Sequence, residues 1–188
     1  MKVTECWRRS GDGIRGPIGF EMLIIFSGLP GVGKTTLARE LGRRVGAPYL
    51  RIDSIEAGLE ASVLAIKRAE DAGYRAAYNI ARDNLLNGGI VVADSVNPIQ
   101  LTRDAWRDVA VQAGVQAVEI EVICSDLGEH QRRVEDRRSG DPEAGYPTWQ
   151  AVQDRHYDIW DRDRLVIDTA GAETGETVRA ILQKLPKS

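Results

Sequence analysis

The sequence is poor in cysteine, histidine and lysine. Its two cysteines, Cys6 and Cys124, lie far apart and lack metal-type spacing, which argues against a disulfide framework. The two histidines, His130 and His156, have no metal-type partners at short spacing. Of 25 basic residues only Lys2, Lys34, Lys67, Lys184 and Lys187 are lysines. The arginines can fork onto carboxylates or phosphates, and many are expected to pair with Asp and Glu on the surface. The net charge is -3, so no global basic field draws the chain to nucleic acid or to an anionic membrane. No apolar run approaches the roughly 18 residues of a membrane span. The first residues, MKVTECWRRSGDGIRGPIGFE, have no apolar middle and do not read as a signal peptide. A cytoplasmic location is the expectation.

What is present fits one domain, since 188 residues with 43% hydrophobic content can enclose a sizeable core. Residues 1–21 are Gly-rich and aperiodic. They are expected to be a disordered extension, or upstream sequence included by a wrong start, ahead of a domain over residues 22–188. Leu23-Ile24-Ile25-Phe26 is a continuous apolar run, the pattern of a strand buried on both faces. Residues 35–45 then show helical periodicity and stop at Gly46 and Pro48. Further strands are expected at 49–52, 90–93, 117–123 and 165–167. Residues 55–86 predict one or two helices broken near Gly73. A helix to about Ala113 is expected to begin with Asn97 as N-cap and Pro98 as first residue, with Ile99, Trp106, Val109 and Ala110 inward. A helix over 174–185 closes the chain. Strands alternating with helices imply a parallel sheet covered on both faces.

Gly28-Leu29-Pro30-Gly31-Val32-Gly33-Lys34-Thr35 fits G-x-x-x-x-G-K-[ST] in full, between a buried-type strand and an amphipathic helix. Its glycines let successive N–H groups turn inward as an anion nest, and the helix N-terminus adds its positive dipole end. Lys34 is then placed for β- and γ-phosphates, the Thr35 hydroxyl for Mg²⁺ and Thr36 for the α-phosphate. IVVAD, ending at Asp94, has the form of a strand that delivers a carboxylate to that Mg²⁺. Ser95 and Asn97 follow within reach of metal-bound water or an acceptor.

Three features carry two readings each. Asp53 in RIDSIE is either an N-cap with Glu56 as capping-box partner, or a general base for an acceptor hydroxyl at the carboxyl end of the sheet. HQRRVEDRR, residues 130–138, is either a solvated charged helix or a lid. In the lid reading Arg133 and Arg137, four apart on one face, act as arginine fingers in cis. The Gly/Pro-rich SGDPEAGYP that follows favours the lid, placed at about 127–155. The polar groups of Asp168-Thr169-Ala170 lie either near a bound adenine or at a plain strand end. Trp106, Trp149 and Trp160 read as core or lid packing.

No guanine-reading N-K-x-D follows a strand, which argues against a GTPase switch; the fourth strand runs out as Val122-Ile123-Cys124-Ser125-Asp126. A motor needs more chain and a second helical domain. From about Leu23 to Leu185 the sequence resembles the small P-loop kinases, among them gluconate and shikimate kinases, chloramphenicol phosphotransferase, zeta toxins and polynucleotide 5′-kinase. The resemblance rests on GLPGVGKTT, Asp53, VVADSVNP and the R-V-x-x-R of Arg133 and Arg137. The wider run DSVNP…TRDAW…YPTW…DRLVIDTA is similar to bacterial proteins described only as predicted kinases or AAA family ATP-binding proteins. The resemblance implies an α/β P-loop NTPase with a five-stranded parallel sheet in order 2-3-1-4-5 and a helical lid. It also implies ATP, Mg²⁺ and phosphoryl transfer to a hydroxyl, with roles for Lys34, Thr35, Asp53, Asp94, Arg133 and Arg137.

The acceptor region, with Tyr74, Arg75, Tyr78, Asn79 and Arg82, matches no substrate signature. The expectation is transfer to a small-molecule hydroxyl. The rivals are a nucleotide-binding regulator acting through a protein partner and a polynucleotide 5′-hydroxyl kinase; the net charge argues against the latter.

Overall fold

The computed structural model of the chain describes residues 21–63, 69–142 and 145–186. Five strands form one parallel sheet: β1 (Met22–Ser27), β2 (Tyr49–Arg51), β3 (Ile90–Asp94), β4 (Gln116–Ile123) and β5 (Leu165–Asp168). Their order is β2-β3-β1-β4-β5, as the resemblance implies. All six residues of β1 are buried, because β1 is the central strand with parallel partners on both sides. Its alternate side chains feed two cores. Met22, Ile24 and Phe26 pack with α1 (Lys34–Val45) and α7 (Thr174–Lys184). Leu23 and Ile25 pack with α3 (Ala72–Leu86) and α4 (Gln100–Ala113) on the other face. A continuous apolar run is what two covered faces require.

Between α1 and α3 lies α2 (Ile52–Glu60); α5 (Leu127–Gly140) and the short α6 (Trp149–Gln153) fall between β4 and β5. The region expected to break near Gly73 breaks earlier: α2 ends at Glu60 and α3 begins at Ala72. Gly73 lies inside α3, and a Cβ there would overlap the Glu56 side chain of α2. Its glycine therefore serves close helix packing, not a turn. α4 begins at Gln100 with Ile99 as N-cap, two residues after Pro98, so Asn97 is not its cap. Asn97 is instead fully buried with φ +47°. The extension reading of residues 1–21 lies, except for Glu21, outside the described residues, as do Cys6, Leu64 and Ile66. Among the described residues no helix is long and apolar enough to cross a membrane.

Candidate active site

The phosphate loop leaves β1 through Gly28, whose φ is +140° and whose added Cβ would overlap the carbonyl oxygen of Val122. Only glycine fits where the loop turns against β4. Gly33 (φ +94°) caps α1, so the loop ends on a helix N-terminus, with its unpaired N–H groups and positive dipole end. Lys34 is buried, and its Nζ donates to the Leu29 carbonyl at 2.8 Å across the loop. Burial pulls the Lys34 ammonium down to about 8, opposed by the negative charges of Asp94 and Asp53; Arg137 and Arg155 add to the depression. A buried amine so perturbed, ringed by charges of both signs, is a typical functional-site signature.

Asp94 ends β3 in register with Phe26 of β1 and is buried. Tyr49 donates its hydroxyl to Asp94 Oδ2 at 2.7 Å. That hydroxyl is pushed well above the usual phenol range by burial first and by the Asp94 charge second, so it stays a donor. One oxygen of Asp94 is thus oriented by Tyr49. The donor set suits Mg²⁺, which takes few protein oxygens and keeps waters and phosphate oxygens for the rest. Thr35 and Asp94 are hard oxygen donors of that kind. Among the described residues no group of three or more His, Cys, Asp or Glu could form an all-protein cage.

Asp53 lies in the first turn of α2, after Arg51 as N-cap, and no side chain caps that helix. The capping-box reading fails because Asp53 is two residues inside. Its exposed carboxylate accepts from Arg51 Nη2 at 2.5 Å instead. Glu56 has its carboxyl raised by burial, then by Asp53 and Glu60.

The polar helix α5 is docked at its first half and exposed at its second. Buried His130 donates from Nε2 to the Pro30 carbonyl at 2.8 Å and meets the Trp149 ring of α6 edge-on. Val134 packs so closely on the loop that a Cβ on Gly31 would overlap it. Arg133 and Arg137 do share a face, but they are held differently. Arg133 donates to the hydroxyl and the carbonyl of Thr169 and to Glu129. The Thr169 hydroxyl in turn donates to the Val32 carbonyl at 2.8 Å. Arg133 is therefore a clamp between α5, the turn after β5 and the phosphate loop. Arg137 lies 3.9 Å over the Tyr146 ring and has no carboxylate partner among the described residues.

A cavity of about 350 Å³ joins these parts. Gly31, Gly33, Lys34, Thr35 and Thr36 line it from the loop and the start of α1, Arg133 and Arg137 from α5, and Thr169, Thr174 and Thr177 from the turn after β5 and from α7. Asp94 and Asp53 lie outside its lining. Thr169 thus serves the loop and the cavity together. A second cavity of about 380 Å³ between α3 and α4 takes in Arg75, Tyr78, Asn79 and Arg82; Tyr74 is not among its lining residues. Trp106 is fully buried, and Trp160 lies under the Arg103 guanidinium at 4.1 Å.

Sequence reasoning missed Tyr49, His130 and Arg103. A single arginine on an otherwise apolar face of α4, beside Trp106 and Ala110, was the signal for Arg103. Nothing local marks Tyr49, since its partner is 45 residues away.

Comparison with known proteins gives a family model, AAA domain, that matches residues 23–158. No curated protein matches the chain in sequence. Solved structures share the fold at low identity. A protein from Chloroflexus aurantiacus j-10-fl superposes with a TM-score of 0.71 at 19% identity, over 88% of this chain and 98% of that one. The APS kinase CysC of Mycobacterium tuberculosis, solved with AMPPNP and APS, gives 0.63 at 20% identity over 86% and 95%. A gluconokinase from Sinorhizobium meliloti 1021 gives 0.61 at 16% identity over 87% and 91%.

Proposed function

The chain belongs to this AAA domain family and has the P-loop kinase fold, and from that premise we propose that it is an ATP-dependent phosphotransferase that moves the γ-phosphate to a hydroxyl of a small molecule. The observation that carries the reading is the cavity lined by the phosphate loop and by Arg133 and Arg137. A module that only binds nucleotide has no need of further cations facing the phosphates. A transfer site does, because the transferring group spreads negative charge over its equatorial oxygens.

In this reading the backbone N–H groups of residues 28–33 and Lys34 hold the β- and γ-phosphates. Mg²⁺, held by Thr35 and Asp94 with the nucleotide, supplies charge neutralisation at the phosphate oxygens when bound. Tyr49 keeps the Asp94 carboxylate turned to its task. Asp53 accepts the proton of the acceptor hydroxyl as that oxygen forms its bond to the γ-phosphorus and the bond to the β-phosphate oxygen breaks. Arg51 holds one Asp53 oxygen and leaves the other for the hydroxyl. Arg137, which has no carboxylate partner among the described residues, is the finger that swings over the reacting group, while Arg133 holds the lid to the loop.

The test is a screen of small hydroxyl compounds for stimulated ADP release, with product mass as the second readout. One stimulating compound and a phosphorylated product support the proposal. No stimulation across a wide library, together with a stable protein partner in pull-down, overturns it in favour of an ATP-hydrolysing regulator. End-labelling of an oligonucleotide reads out the polynucleotide alternative.

A further inference from the structure

Asn97 is fully buried and sits at φ +47°, in the left-handed region that Asn enters more readily than most residues with a Cβ. Its surroundings hold it there. Its Nδ2 donates to Ser27 Oγ at 2.9 Å and its Oδ1 accepts from Ser95 Oγ at 2.8 Å. Its backbone N–H meets the Tyr74 hydroxyl at 3.4 Å, and its carbonyl accepts from Arg103 Nε at 3.0 Å. All four polar groups are used, three of them toward β1, α3 and α4 and the fourth, through Ser95, within its own turn.

Ser27 is the last residue of β1, directly before the phosphate loop. The adjoining bonds run the same way: Ser95 N–H to Phe26 O, and Gly28 N–H to Val96 O at 3.1 Å. The segment 95–97 therefore pins the start of the loop. On its other side the turn holds the segment between α6 and β5. Asp158 N–H donates to the Pro98 carbonyl at 2.7 Å, and the Asp158 carboxylate accepts from Gln100 N–H at 2.8 Å. Arg103 closes the joint, with its Nη2 on the Asp158 carbonyl at 2.9 Å. That segment is the direct continuation of the lid helices.

We infer that Asn97 is a positioning residue that couples the lid, through the strap around Asp158, to the start of the phosphate loop, so that nucleotide in the loop orders the strap. The inference rests on the nucleotide-binding part of the proposed function. The geometry fits coupling better than plain packing. An apolar side chain would fill the space and keep the backbone bonds to α3 and α4, but it would lose the amide bonds to Ser27 and Ser95, which tie β1 to the turn whose Pro98 and Gln100 hold the strap.

The experiment is amide exchange followed by NMR in the full chain, with and without ATP and Mg²⁺. Asn97→Gly keeps the backbone conformation and removes the amide. In the free protein it should speed exchange at both Gly28 and Asp158 on the order of tenfold, the scale of a lost buried hydrogen bond. In the wild type, nucleotide should slow exchange at Asp158. In Asn97→Gly the nucleotide still binds, but that remote slowing is lost. Ser27→Ala keeps Asn97 in place and cuts only the arm to the loop. It should speed Gly28 alone and also abolish the remote slowing, which a purely structural role for Asn97 would not predict. Faster exchange confined to residues 95–99, or nucleotide protection of Asp158 that survives in both variants, overturns the inference. A wild type that binds no nucleotide overturns the proposed function instead, and the free-protein exchange at Gly28 and Asp158 then decides whether the joint exists.

Discussion

The phosphate-loop side and the side proposed for the acceptor are built to different standards. On the donor side Lys34, Asp94 and Thr169 are buried, each bonded to backbone or to a neighbour, and glycines at 28, 31 and 33 let the loop approach β4, α5 and Thr169. On the acceptor side Asp53 is exposed, and Arg75 pairs with Asp71 in the open. The helices there are α2 and α3, which carry Asp53 and Arg75. A triphosphate is the same in every donor, so a rigid nest of N–H groups serves it. An acceptor differs from one enzyme to the next, so its side is surface chemistry on helices whose packing does not fix their outward residues.

The comparison breaks most visibly at the lid. Arg137→Ala should lower turnover by about 10³-fold with nucleotide affinity little changed, since an arginine finger is worth roughly 10³–10⁵; equal losses in Arg133→Ala and Arg137→Ala would erase the distinction between clamp and finger. Next, Asp53→Asn should leave ATP binding intact and cut transfer by about 10²-fold, within the usual range for a general base. Normal turnover of that variant with its true acceptor would sink the base assignment.

A smaller effect sharpens the donor side. Lys34 has a folded value near 8, below its ordinary 10.5. Below about pH 8 it is charged and attracts phosphate. Nucleotide affinity should therefore fall as pH rises past 8, by up to about tenfold per unit, as seen by titration calorimetry. The stability effect has the opposite sign. Between pH 8 and 10.5 the unfolded chain holds more protons than the folded one, so the burial penalty is full below 8 and fades as pH rises through that window. Lys34→Met should remove both dependences. The smallest effect belongs to the outer acceptor helices. Arg75→Ala breaks an exposed pair and should shift stability by less than about 0.5 kcal/mol in chemical denaturation.

Much of the donor side was legible in the sequence. GLPGVGKTT announces its own backbone, because only that spacing of glycines permits the turn, and IVVAD announces a buried strand ending in a carboxylate. Asp53 showed less. Its capping reading rested on an offset of three residues, and a helix beginning at Ile52 removed it. Asn97 was misread as an N-cap for a related reason: Asn before Pro has two uses, and local sequence cannot tell a helix start from a buried turn.

By itself the sequence determined the five strands, the phosphate loop and the polar character of α5, since each depends on periodicity, glycine or local charge. Only the tertiary structure decided that Tyr49 orients Asp94, that Arg133 clamps onto Thr169 while Arg137 lies over Tyr146, and that Asn97 bonds Ser27 at the start of the loop. The hydrogen-bonded pairings among these span 36 to 70 residues of chain. They exist because a parallel sheet gathers the carboxyl ends of all its strands on one edge, where residues remote in sequence come within hydrogen-bond reach.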